Sequence, residues 1–168
     1  SLAGEGFSLV HFRAPTEGGV LTLGANAPGR IEQWDLEADG PVVTTRGAFL
    51  AAWGPDVRIT ASLAKRAGAA FFGGAGFLFQ RIEGRGTALI HGRGDFRQEV
   101  LFAGEERRVS TGNLAAFAAS VDYDIETVSS WKKIFFGKEG AFMTRLQGPG
   151  RILLQTLKPG SKSEVKIS

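Results

Sequence analysis

Val57-Arg58-Ile59-Thr60-Ala61-Ser62-Leu63 alternates apolar and polar side chains without a break. Val121-Asp122-Tyr123-Asp124-Ile125-Glu126-Thr127 alternates almost as strictly. A period of two puts every second side chain on the same face, so both stretches read as half-buried strands. Working outward, further strands are expected at Phe7–Arg13, Val20–Gly24, Ile31–Leu36, Val42–Thr45, Phe49–Trp53, Phe77–Ile82, Thr87–His91, Phe96–Phe102, Arg107–Thr111, Phe142–Leu146 and Arg151–Thr156. Turn-forming clusters separate them, among them Glu17-Gly18-Gly19, Asn26-Ala27-Pro28-Gly29, Ala38-Asp39-Gly40 and Gly148-Pro149-Gly150. Many short strands with regular turns predict an all-β sandwich or barrel. Only Ala61–Ala70 and Thr127–Phe135 leave room for a helical turn.

The chain also repeats itself. Phe71–Gly92 laid over Phe135–Thr156, 64 residues on, gives eight identities in 22 pairs: Phe71/Phe135, Phe72/Phe136, Gly73/Gly137, Gly76/Gly140, Arg81/Arg145, Gly84/Gly148, Gly86/Gly150 and Leu89/Leu153. A shift of 66 lays Val43–Ile59 over Val109–Ile125, matching Val43/Val109, Thr45/Thr111, Asp56/Asp122 and Ile59/Ile125. Gly6-Phe7 falls on Gly76-Phe77. The expected organisation is one repeat-built β domain over residues 1–157, followed by a basic, loose tail at 158–168. Its modules of about 65 residues span about 5–70, 75–134 and, in part, 139–156. A partial third module predicts an open sheet edge, which proteins cover by pairing or with a partner. Self-assembly into a homo-oligomer is therefore expected, or else completion by a segment before the first residue.

Composition narrows the function. The 168 residues suit about one domain, and 43% apolar with 22% charged residues describes an ordinary globular chain. No apolar run reaches the length of a membrane-spanning helix. The opening Ser1-Leu2-Ala3-Gly4-Glu5-Gly6 has no secretory leader pattern, so a cytoplasmic location is expected. The absence of Cys excludes disulfides, thiolate nucleophiles and Cys-ligated metals. Net charge is +3, and the cations are scattered in small groups such as Lys65-Arg66, Arg107-Arg108 and Lys132-Lys133. That pattern reads as a solvated mixed surface and disfavours nucleic acid.

The repeated segments carry a family resemblance. Phe71-Phe72-Gly73-Gly74-Ala75-Gly76-Phe77-Leu78, Phe135-Phe136-Gly137-Lys138-Glu139-Gly140-Ala141-Phe142 and Arg145-Leu146-Gln147-Gly148-Pro149-Gly150-Arg151 resemble the altered-inheritance-of-mitochondria family. So do Thr45-Arg46-Gly47-Ala48-Phe49-Leu50-Ala51-Ala52 and Val121-Asp122-Tyr123-Asp124-Ile125. That family is grouped with TRAP-like proteins, after the tryptophan RNA-binding attenuation protein. The resemblance implies a double-stranded β-helix, a sandwich of repeated β modules. It implies no catalytic motif and no settled activity, and its mitochondrial relative is tied to inner-membrane organisation. It also implies some tens of residues before the point where this chain starts, a segment suited to complete the third module.

Candidate chemistry is sparse. His11 and His91 occupy different module positions, too few for the usual three or four metal ligands, and no cofactor is implied. No Gly-x-Ser-x-Gly elbow occurs, and Ser110, Ser129, Ser130, Ser161 and Ser163 have no His nearby in sequence. Asp122, Asp124 and Glu126 share one face of a strand and read as a solvated face rather than an acid–base pair. Gly73-Gly74-Ala75-Gly76 and Gly84-Arg85-Gly86 lack the spacing of phosphate-binding loops and read as positive-φ turns. Ser130-Trp131-Lys132-Lys133-Ile134-Phe135-Phe136 mixes Trp, Phe and Lys as an interfacial membrane contact does, or else plugs a core. His11, Arg81 and Arg145 hold equivalent module positions, so a rotation between modules would gather them into an anion-binding site. The expected function is a non-enzymatic β-scaffold acting through protein contacts and self-assembly. The alternatives are a small-ligand or anion-binding module, and an RNA-binding ring by analogy of fold.

Overall fold

The structure is a computed structural model that describes residues 9–63, 78–127 and 142–159. Twelve strands are present among them: β1 (Gly29–Asp35), β2 (Val42–Thr45), β3 (Phe49–Trp53), β4 (Arg58–Leu63), β5 (Leu78–Glu83), β6 (Thr87–Arg93), β7 (Phe96–Leu101), β8 (Glu106–Ser110), β9 (Leu114–Ala118), β10 (Asp122–Thr127), β11 (Phe142–Gln147) and β12 (Gly150–Gln155). A single 3-10 turn, Thr111–Asn113, lies between β8 and β9. The fold is all-β, as its alternating stretches predict, and every pairing is antiparallel.

The strands form three open sheets. One has six strands in the order β4-β5-β2-β9-β12-β7, and two have three, β1-β6-β3 and β10-β11-β8. The orders recur. β1-β6-β3 is matched by β7-β12-β9, and β4-β5-β2 by β10-β11-β8. A bulge leaves Leu50 as the extra residue of β3 against β6, and another leaves Ala115 as the extra residue of β9 against β12. The six-stranded sheet is one half of each kind, joined where β2 meets β9 with Val42↔Ala118, Val43↔Phe117 and Thr44↔Ala116.

The registers depart from the sequence shift of 66. Arg81 faces Val43 and Thr60, whereas Arg145 faces Arg108 and Asp124. Val43 therefore stands where Arg108 stands, one residue from the Val109 that identity selects, and Thr60 corresponds to Asp124. Turn length explains part of the drift. Four residues separate β3 from β4, and three separate β9 from β10.

The core lies between the sheets. Trp34, Phe79, Ile82, Ile90, Phe117, Leu146, Ile152 and Leu153 are all but fully buried. Phe79, Phe117 and Tyr123 form a ring cluster with centroids 5.0–5.9 Å apart, the Phe79–Phe117 pair edge to face. Tyr123 belongs to the β10-β11-β8 sheet and the two Phe to the six-stranded sheet, so these rings hold the layers together. On the other side β6 packs on β9 and β12.

Two expectations about strands are corrected. Residues 9–28 contain no strand, although Phe7–Arg13 and Val20–Gly24 are patterned for two. Of that first strand, Phe7 and Ser8 lie outside the described residues. An isolated hairpin is marginal in water. β5 and β6 lie in different sheets, β5 between β4 and β2 and β6 between β1 and β3; β11 and β12 are split in the same way, β11 between β10 and β8 and β12 between β9 and β7. No described strand flanks residues 9–28 in that way. The second correction is β9, a strand that alternation does not reveal, because Leu-Ala-Ala-Phe-Ala is buried along its whole length. The expected helical turns fall at residues 61–70 and 127–135, and all but Ala61–Leu63 and Thr127, which are strand, lie outside the described residues.

Candidate functional site

Six strands stand at the edges of the three sheets. Four of them, β1, β4, β7 and β10, are outermost in both matching halves. The other two, β3 and β8, are different. β9, the counterpart of β3, is interior, and so is β2, the counterpart of β8. The side chains record this difference. All five residues of β9 are buried, whereas Phe49-Leu50-Ala51-Ala52 of β3 are half-buried and Trp53 is 53% exposed. Val42, Val43 and Thr44 of β2 are buried, whereas Glu106, Arg107 and Arg108 of β8 are exposed. An edge strand presents unpaired N–H and C=O groups to whatever can pair with them, and charged side chains blunt that tendency. β8 carries such charges and β3 carries none.

The charges of β8 are held by neighbours. Arg107 Nε lies 2.9 Å from Glu99 Oε2, and its Nη2 lies 3.3 Å from Glu105 Oε1. Arg108 Nε lies 3.5 Å from Glu126 Oε2. The pairs with Glu105 and Glu126 are surface pairs in high dielectric, each worth roughly 0–1 kcal/mol, whereas Glu99 is mostly buried.

The sequence-selected cations lie on different elements. Arg81 lies on β5 and donates from Nε to Glu83 Oε2 at 2.9 Å. Arg145 lies on β11, with Glu106 Oε1 at 3.0 Å, Asp122 Oδ2 at 3.9 Å and Glu126 Oε1 at 4.0 Å. β5 and β11 belong to different sheets. His11 is exposed in the strandless stretch. No hydrogen bond or ion pair among the described residues joins the three. The strand face bearing Asp122 and Glu126 is thus tied up in ion pairs with Arg145 and Arg108.

His91 is buried and does a structural job. Its Nε2 lies 3.1 Å from the Ala27 carbonyl oxygen, which accepts only, so Nε2 carries the proton. Gln155, its match in the repeat, does likewise: its Nε2 donates to the Gly112 carbonyl at 2.9 Å and its Oε1 accepts from the Arg93 N–H at 2.9 Å. A cavity of about 220 Å³ lies beside His91, between residues Gly24–Asn26 and the β3 residues Phe49 and Leu50. Among the described residues no three His, Asp or Glu side chains gather closely enough to hold a metal.

Glycines shape the turns that pass from one sheet to another. Gly84 and Gly86 at the β5-β6 turn have φ of +112° and +139°, and Gly150 at the β11-β12 turn has +150°. A Cβ on Gly86 would overlap the Trp53 carbonyl. Asp56 clamps this turn, accepting from the Arg85 backbone N–H at 2.6 Å and from Arg85 Nε at 3.1 Å. Those bonds hold the Asp56 carboxyl below the ordinary carboxylate range. The Arg81 bond does the same for Glu83, and the backbone N–H groups of Ala38 and Glu37 do so for Asp35.

Two features escaped sequence reasoning. One is β9, the interior counterpart of β3; its signal was present, because the shift of 66 lays Phe49–Trp53 onto Ala115–Ala119 and so marks a strand there. The other is Arg151, whose guanidinium carbon sits 3.8 Å from the ring centre of the buried Trp34 while its Nη2 lies 3.2 Å from Asp39 Oδ2. Nothing local in the sequence joins residues so far apart. The Gly73–Gly76 run and the Trp131–Phe136 stretch lie outside the described residues.

Comparisons with known proteins agree with this architecture. A crystal structure of a Streptococcus pyogenes protein superposes with a TM-score of 0.65 at 23% identity, covering 79% of this chain and 56% of that one. This chain thus corresponds to little more than half the length of that protein, and at such identity the likeness speaks for the fold. No curated protein matches. No helix among the described residues is long and apolar enough to cross a membrane. The family described as Mitochondrial biogenesis AIM24 matches residues 1–157, and the chain belongs to that family.

Proposed function

We propose that this protein is a non-enzymatic β-scaffold that works through protein contacts and self-assembly. The observation that carries the reading is the pair of sheet edges, β3 and β8, that no described strand covers, where their counterparts β9 and β2 are covered on both sides. Exposed apolar side chains before β1 support it. Val10, Phe12, Val20 and Leu21 are 53–97% exposed in the stretch that is patterned for two strands. The chain architecture that goes with this reading is a double-stranded β-helix of repeated modules in one domain over residues 1–157, with 158–168 as a tail. The recurring strand orders and the paired bulges at Leu50 and Ala115 support it. The compartment of this reading is the cytoplasm. The family description names mitochondria instead, and cell fractionation separates the two.

Light scattering over a wide concentration range tests the reading. Mass rising above that of one chain supports it, and a well-folded monomer throughout overturns it. Anion binding at His11, Arg81 and Arg145 is the second reading, supported by Arg81 and Arg145 holding equivalent places on β5 and β11. Replacing Arg81 and Arg145 by Gln should abolish phosphate binding measured by calorimetry; affinity left unchanged overturns it.

A further inference from the structure

We infer that the two open edges are the two halves of one joint, and that a second copy of this chain completes it by pairing β8 with β3. The inference rests on the self-assembly reading above and names the surface and the register. Its starting point is the six-stranded sheet. That sheet is β4-β5-β2 joined to β9-β12-β7 through β2·β9. The two smaller sheets, β10-β11-β8 and β3-β6-β1, have the strand orders of those same two halves. They are a second six-stranded sheet left unjoined, and the missing contact is β8·β3.

The occupant is specified by what each counterpart has. β9 is buried at every position, and β12 covers one of its edges and β2 the other. β3 has β6 on one edge and no described strand on the other. What β3 lacks is a strand of the β2 kind, and β8 is such a strand with its own edge free of any described partner strand. Within one chain the two are not paired. In a head-to-tail arrangement, β8 of one copy meets β3 of the next, a heterologous contact that closes into a ring or runs on as a filament.

The register follows from the anchors. Val43 pairs with Phe117 in the existing joint. Arg108 stands in the place of Val43, because Arg145 faces it as Arg81 faces Val43. Ala52 stands in the place of Phe117, because Ala88 faces it as Ile152 faces Phe117. The joint between copies therefore sets Arg108 opposite Ala52, Arg107 opposite Trp53 and Val109 opposite Ala51. Arg107 and Trp53 are both half-exposed in the single chain, at 45% and 53%. Facing each other across the joint, a guanidinium and an indole form a favourable cross-strand pair. The charges that keep β8 from pairing indiscriminately thus find a specific partner in β3.

The chain has no Cys, so introduced thiols are the sole ones. Directly opposed residues of an antiparallel pair have Cα atoms about 4.5–5.5 Å apart, within the range a disulfide spans. The experiment mixes full chains carrying Ala52→Cys with full chains carrying Arg108→Cys under mild oxidation. The expected result is a mixed cross-linked dimer several-fold more abundant than that from Trp53→Cys with Arg108→Cys, whose side chains fall on opposite faces. Ala51→Cys with Val109→Cys tests the same register independently if the first pair folds poorly. Multimers by light scattering with no mixed dimer above the off-register control overturn the joint and leave the scaffold reading standing. A chain carrying both Ala52→Cys and Arg108→Cys that closes an internal disulfide as a monomer also overturns it. Monomers at every concentration with no cross-link overturn both.

Discussion

Asp56 shows how one carboxylate can organise a turn twenty-nine residues away. It accepts two hydrogen bonds from Arg85 and so ties the start of β4 to the β5-β6 turn. Its carboxyl, like those of Glu83 and Asp35, is held below the ordinary range. A carboxyl lowered on folding stabilises the folded state above its unfolded pKa, and that stability is lost as pH falls through the folded pKa. Thermal melts should therefore show little change near neutrality and a decline below about pH 4. Asp56→Asn should flatten that acid decline; an unaltered profile would show the clamp to be unimportant. Trp34 is the other residue to test. It is fully buried, donates from Nε1 to the Gly40 carbonyl at 2.9 Å and lies beneath Arg151. Trp34→Phe removes the donor and leaves a void, at an expected cost of about 2–3 kcal/mol in urea titration.

Between β9 and β3 the same place in the strand order carries different sequences in different surroundings. β9 lies inside a sheet with Phe117 fully buried in the ring cluster of Phe79 and Tyr123. Phe117→Ala should cost about 3–5 kcal/mol by the usual measure of a large core deletion. Trp53→Ala, at the exposed end of β3, should cost well under about 1 kcal/mol in a single chain, as surface changes do. Equal losses by chemical denaturation would mean that the edge of β3 is covered in solution. Gly86→Ala belongs to this scale as well. Its positive φ and the Trp53 carbonyl beside it leave no room for a methyl group, so the β5-β6 turn should shift and stability should fall by about 1–3 kcal/mol. The patterning of the sequence was enough to find eleven of the twelve described strands. It missed β9 because a strand buried on both faces has no polar face to alternate with.

For the whole molecule, the decisive relation is between sheets. A joint of backbone hydrogen bonds is little screened by salt, unlike an assembly held by surface ion pairs. Multimers formed through β3 and β8 should therefore survive ionic strengths that dissolve the latter, a difference that sedimentation at low and high salt will read. What the sequence determined by itself was the all-β class, the turn glycines and the existence of a repeat. All three are written in local spacing: a period of two, a glycine where φ turns positive, an identity at a constant shift. The register of the repeat was beyond it, since Val109 matches Val43 by identity while Arg108 matches it by position. The scatter of Arg81 and Arg145 over two sheets was also beyond it, as was the absence of strands at residues 9–28. These were decided by tertiary structure alone, because a strand forms only where another strand satisfies its backbone, and which strands meet is settled by packing across the whole chain.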